Sequence, residues 1–245
     1  MADFKNRSSW TDKFTAELEG KLNGKAQALL GYLGDPPDLD AVPQSFWDGI
    51  STELKPVLMQ TLTDIYLESG KEFVANAAID VQWHLVNKAA AEWAKRHTDK
   101  LVSDLYQTNI DGTGALVDSF YSDQWTLGDL EDRLGKLFGV DRAKVIAPTE
   151  ITRASVEGER GVVSQIEDET GWKLPEVWRT SEDEKVCPIC GGHDGHEEGD
   201  GWTGAVDGPP AHPECLCWTV HELPNLKNLT PTFSETAREG RTEEE

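Results

Sequence analysis

The chain has 245 residues, enough for one large domain or two small ones with a substantial core. Its 45 Asp and Glu against 23 Lys and Arg leave a formal net charge of -22. That balance weighs against a duplex-DNA binder, whose affinity comes from clustered cations, and against docking on anionic lipid. Nine Trp and seven Phe are core-grade residues and argue for packed structure rather than full disorder.

In chain order, residues 11–33 read as one amphipathic helix, with Phe14, Leu18, Leu22, Ala26 and Leu29 at three- and four-residue spacing. Three prolines and a glycine in 34–43 break it. A second helical stretch starts near Ser45, carries Leu54, Leu58, Leu62 and Ile65, and is expected to end or bend at Gly70. Residues 71–107 contain no internal Gly or Pro and predict one long bundle helix. Its apolar part, 74–94, is interrupted by Asp80, His84, Lys88 and Glu92, so no membrane span is expected. The first ten residues carry no apolar signal core, which predicts a protein made and kept in a cytoplasm. His84 and His97 on this run read as packed or surface histidines.

Asp111-Gly112-Thr113-Gly114 reads as a turn, followed by a short helix over 115–122. Thr126 is placed to cap a helix from Leu127 to Phe138, and Asp141 to cap another from Arg142 to about Ile166, kinked at Pro148. Residues 176–180 and 217–220 predict short strands flanking a Gly-rich insert, and 224–245 a disordered acidic tail. The fold class expected is mainly α with a small C-terminal α+β zinc-knuckle module. The expected division is an elongated helical bundle over 1–105, a module with the metal knuckle over 106–223, and the tail.

All four cysteines fall between 187 and 217, a clustering that suits metal better than a disulfide scaffold. Cys187-x-x-Cys190 lets two thiolates turn toward one ion. His212-x-x-Cys215-x-Cys217 supplies the second half. Thiolates with an imidazole favour tetrahedral zinc, and four protein ligands close a structural site. Five candidates compete for four positions, and the sequence leaves open which of His212, Cys215 and Cys217 complete the shell. A catalytic zinc would need a base and a water. His193, Asp194, His196, Glu197 and Glu198 lie nearby but read as decoration of a solvated loop. Thr149-Glu150-x-x-Arg153 with Glu157 reads, taken alone, as a surface ion-pair ladder. Trp172, Trp178, Trp202 and Trp218 bracket the cysteines without interleaved cations, so they read as core rather than as a stacking platform. No phosphate-binding loop, dinucleotide fingerprint, zincin helix or nucleophile elbow is present.

The order of these features resembles the bacteriophage head-morphogenesis family, the Mu F-like minor head proteins. The shared pieces are Thr149, Glu150, Arg153 and Ala154 on a helix, then Trp178, then Cys187, Pro188, Cys190, Asp194 and Gly195. Pro210, His212, Cys215 and Cys217 complete the set. The likeness covers about 105–220. Leu216 stands where the family usually has Arg, and Ala147-Pro148 where Ala-Arg is common. The resemblance implies a non-enzymatic virion component inside the capsid near the portal vertex. It would be assembled in the host cytoplasm, with the portal protein and possibly a major capsid or scaffold protein as partners. A zinc-dependent nuclease or hydrolase, and a zinc-knuckle nucleic-acid adaptor, are the alternatives.

Overall fold

The computed structural model describes residues 4–77, 79–180, 186–198, 202 and 207–223. The architecture is mainly helical: α1 (Arg7–Leu22), α2 (Lys25–Leu33), a 3-10 turn (Leu39–Ala41), α3 (Gln44–Ala77), α4 (Trp83–Ser122), α5 (Leu127–Phe138) and α6 (Val140–Thr170). A small module follows, with β1 (Glu176–Arg179), the single turn α7 (Pro188–Gly191) and β2 (Trp218–His221). Among the described residues no helix is long and apolar enough to cross a membrane. The tail expected over 224–245 lies outside the described residues.

Several boundaries differ from the sequence reading. The helix expected over 11–33 is two, split at Asn23 and Gly24, where Gly24 takes a positive φ of 77° and turns the chain. Gly70 neither ends nor bends a helix. It sits inside α3 because a methyl group there would come within 2.8 Å of Val162 Cγ2, so glycine serves close helix packing. The real interruption falls between Ala77 and Trp83, inside the run expected to be continuous, and 79–82 are non-helical there. There the chain reverses so that α4 returns antiparallel along α3, with Asp80 Oδ1 accepting from the Val81 N–H and Gln165 Oε1 from the Gln82 N–H. The expected turn at 111–114 is helical, and α4 runs unbroken through it and through residue 105. Gly112 there faces Leu137 of α5. Thr126 does cap α5, in a reciprocal capping box with Asp129. Asp141 does not cap α6; Gly139 holds that position, Asp141 lies in the first turn, and the helix passes through Pro148 to Thr170.

The main core joins both halves of the chain. Phe14 and Leu18 of α1, Leu58, Leu62 and Ile65 of α3, Leu130 and Leu134 of α5 and Ile151 of α6 share one buried cluster. A second cluster gathers Tyr66, Phe73, Val86, Val162 and Ile166. Helix α6 lies against α3 at glycines. A Cβ on Gly158 would fall inside the Tyr66 carbonyl, and one on Gly161 inside the Tyr66 hydroxyl. With 3.6 residues per turn, Ala147, Ile151, Ala154, Gly158 and Val162 share the face toward α3. Thr149, Thr152, Val156, Glu159 and Arg160 lie on the opposite face, and that face carries the module.

In the module β1 and β2 pair antiparallel, Val177 opposite Val220 and Trp178 opposite Thr219. The other edge of β1 is taken by 195–198: Trp178 N–H donates to His196 O at 3.0 Å and Gly195 N–H to Trp178 O at 2.9 Å.

Gly158→Ala is expected to lower stability to denaturant by about 1–3 kcal/mol or more, because backbone rather than a side chain must yield. Gly20→Ala, on the open face of α1 with nothing near its Cβ, should be neutral or mildly stabilising. Burial pushes the Tyr66 hydroxyl up to about 12. The folded state therefore holds that proton more tightly than the unfolded chain does. Its contribution is complete below pH 10 and lost as pH rises toward 12, so Tyr66→Phe should flatten that part of an alkaline stability profile.

Candidate metal centre

Two local structures bring the five candidate ligands together. Cys187 N-caps α7, its Sγ accepting the Cys190 N–H at 3.4 Å, while Pro188 opens the turn. Opposite, the cis Pro209–Pro210 bond leads into His212, and Glu214 takes a positive φ of 60° to fold the chain back toward Cys215. Cys187, Cys190 and His212 form one triad of ligand atoms within 4.8 Å of one another, and Cys190, Cys215 and Cys217 form a second. Cys190 belongs to both. His212 Nε2 lies 3.1 Å from Cys187 Sγ and 3.3 Å from Cys190 Sγ, and Cys190 Sγ lies 3.7 Å from Cys215 Sγ. A tetrahedral ion with metal–sulfur bonds of about 2.3 Å has ligand–ligand edges of about 3.7 Å. The five residues could hold a metal ion, and all four thiols are free of disulfides.

The electrostatics follow from who donates to whom. The Cys190 N–H draws the Cys187 thiol below its usual range. The Cys217 thiol, donating to Cys215, brings Cys215 down to about 5, and Cys217 itself is raised by holding that proton. Burial pushes Cys190 up to about 12. His212 is raised first by the Pro213 carbonyl, which lies 2.8 Å from Nδ1. That same carbonyl fixes the tautomer with Nδ1 protonated and Nε2 turned to the sulfurs.

The cluster is small and lies over a thin core. Trp178 is fully buried beside Cys190, Cys215 and Cys217, with Trp202 edge-on to it at 5.4 Å. Trp178 thus forms the module's interior and half-buried Trp202 packs on it, in line with the reading of these rings as core rather than stacking platform. The loop residues nearby behave differently from the solvated reading. His193 is 1 % exposed and packs on Trp178 at 4.9 Å, and Asp194 Oδ1 accepts the Thr180 N–H. His196, Glu197 and Glu198 are exposed, and their backbone serves the sheet edge.

The helix carrying Thr149, Glu150 and Arg153 is not a surface ladder. Glu150 is 5 % exposed and accepts from His97 Nε2 at 2.5 Å, with Arg153 Nε at 3.7 Å. His97 in turn stacks on Trp93 at 5.1 Å, so its place is structural. Thr149 Oγ1 accepts the Glu214 N–H at 2.8 Å, and Thr152 Oγ1 donates to the Cys215 carbonyl at 2.9 Å while accepting from Arg7. Further along, Arg160 grips both Glu176 oxygens at 2.9 and 3.0 Å and Glu157 at 2.9 Å, and His221 Nδ1 donates to Glu159 at 2.7 Å. Sequence reading missed Arg7, Thr152, Glu159 and Arg160, because their partners lie on distant segments. A cleft of about 750 Å³ opens beside the cluster, walled by Phe4, Lys5, Arg7, Pro148 and Leu216.

Comparison with known protein families, with characterised proteins and with solved structures returns no match.

Because a bound ion must displace the protons held on Cys190 and Cys217, metal binding should release protons and weaken as pH falls. Calorimetry in buffers of different ionisation enthalpy measures this. Cys190→Ser, which damages both triads, should cost more affinity than Cys187→Ser or Cys217→Ser. The expected loss is about 100-fold or more, beyond what a supporting outer ligand typically contributes.

Proposed function

We propose that this chain is a minor head protein of a tailed bacteriophage: a structural and assembly factor that works inside the capsid near the portal vertex. In this reading its Cys/His cluster is a structural zinc site, and the protein catalyses nothing. One observation carries the reading. The two stretches that resemble the Mu F-like family, 149–154 and 210–217, lie about sixty residues apart, yet the first holds the second directly, Thr149 accepting from the Glu214 N–H and Thr152 donating to the Cys215 carbonyl. Residues that would look unrelated as separate motifs thus act as one docked unit, as a shared assembly module requires.

Zinc is the ion that four soft donors including an imidazole suit best, and five such donors leave enough to close the shell without water. So small a core would depend on the ion for its folding energy. Departures from the family pattern fit the same picture. Pro148 and Leu216 both line the cleft beside the cluster, where they supply apolar surface in place of the usual arginines.

The cleft favours a second reading, a zinc hydrolase with one open coordination position. The carboxylates in its walls, Asp12 and Glu214, are both solvent-exposed side chains. The nearby candidates His193 and Asp194 are committed to packing and to the Thr180 N–H.

Purified protein is expected to carry one zinc per chain, with an X-ray absorption shell of sulfur and nitrogen and no oxygen. An oxygen ligand would move the assignment to the hydrolase. Tagged protein recovered from infected cells should bring down a portal ring, and recovery of host proteins alone would overturn the assembly role.

A further inference from the structure

The charge of this molecule is not evenly spread. Residues 26–54 and 101–132 contain five and seven acidic residues and not one Lys, Arg or His. They cover α2, the 34–43 loop, the start of α3, the end of α4 and the start of α5, and the fold joins them at one pole. Tyr121 Oη donates to Pro37 O at 2.7 Å, Gln44 Nε2 donates to Tyr106 Oη at 2.5 Å, and Leu39 packs by Gly114. Among the described residues, only Glu53 and Asp104 of those twelve are ion-paired, to Lys25 and Lys100. The two segments together therefore carry -12 of the chain's net -22, which Lys25, Lys100, Arg133 and Lys136 at their borders offset in part.

The same pole exposes aromatic rings. Tyr32 is 47 % exposed and Tyr121 55 %. Both flank the 34–43 loop, and neither ring is loose. Tyr32 packs edge-on against Phe46 at 5.5 Å, and Tyr121 is pinned through its hydroxyl and against Phe120 at 5.4 Å. The one arginine that reaches this end from α5, Arg133, lies over the Trp125 ring at 4.0 Å.

We infer that this acidic, aromatic pole is a docking surface for a basic protein segment, one carrying Arg or Lys with apolar side chains between them. Charge selects the occupant. A second copy presenting the same face, a nucleic acid and an anionic lipid surface would each meet like charge and be repelled. A cationic segment gains from the field and places guanidinium or ammonium groups over the tyrosine faces. Because the rings are already held in place, little ordering cost falls on this side of the interface. The inference goes beyond the head-protein reading and does not need it: a basic partner of any origin would satisfy the surface.

The test uses the full, metal-loaded chain and a synthetic amphipathic peptide of Arg, Lys and Leu, with its Glu-substituted counterpart as control. Fluorescence anisotropy at physiological ionic strength should show the basic peptide binding and the acidic one not. Tyr32→Ser with Tyr121→Ser should weaken binding about tenfold, as loss of central aromatic anchors does. The shape-conserving set Asp35→Asn, Asp40→Asn and Asp118→Asn should weaken it comparably and flatten its salt dependence. An equal charge change far from the pole, Glu92→Gln, Asp168→Asn and Glu198→Gln, should leave it unchanged. Equal weakening by the remote set, binding of the acidic peptide, or no binding of the basic one would each overturn the inference. Portal recovery is a separate readout, so its failure and the failure of this surface are distinguishable.

Discussion

At Gly158 the backbone of α6 passes so close to the Tyr66 carbonyl of α3 that no side chain fits between them. That contact sets the rotation of α6 about its own axis. With the small and aliphatic face of the helix committed to α3, Thr149, Thr152, Glu159 and Arg160 project on the other side. There they meet Glu214, Cys215, Glu176 and His221. The position of the metal cluster therefore follows from how two helices pack. A rotation of α6 by one residue would turn the threonines away from the cysteine loop.

The module needs that support. Its sheet has two four-residue strands, and its buried cluster is Trp178 and three cysteines, flanked by a few half-buried side chains. An isolated two-stranded sheet is marginal in water. Three sources compensate for the thin core: the hydrogen bonds to α6, the paired edge along 195–198, and the ligand set itself. Arg160 illustrates how closely the first operates, since one guanidinium reaches Glu157 on its own helix, Glu176 on β1 and the Asp207 carbonyl. Buried Glu150, shared by His97 and Arg153, ties α6 to α4 in the same region.

The two ends of the molecule are chemically different. One end carries thiols, an imidazole and the cations Lys5, Arg7, Arg153 and Arg160. The other carries acid and aromatic rings, with Lys25, Lys100, Arg133 and Lys136 at its border as partial counter-charge. Solvation tolerates such an excess on a surface, but it costs self-repulsion that packing must offset. The capping box at Thr126 and Asp129 and the leucines of α5 lie at the acidic end and hold it against that repulsion.

Local chemistry was readable from the residues alone. The α5 cap, the break at 34–43, the two strands and the set of five candidate ligands all depend on neighbours within a few positions, where spacing is the physics. Gly70 and 111–114 were misjudged for one reason: a glycine signals a turn or a close approach with equal strength, and only the facing helix decides between them. At Gly24 nothing faces the residue, and its positive φ turns the chain inside an apolar spacing that reads as continuous. Glu150 looked like a surface charge because i,i+3 spacing says nothing about what covers it, and His97 of α4 covers it. The sequence by itself determined which donors could bind an ion and how acidic the chain is. Tertiary structure alone decided that Cys190 belongs to both triads, that Thr149 and Thr152 hold the cysteine loop, and that the charge gathers at one pole. Each of these depends on segments tens of residues apart, brought together by burying apolar faces that specify no partner until they pack.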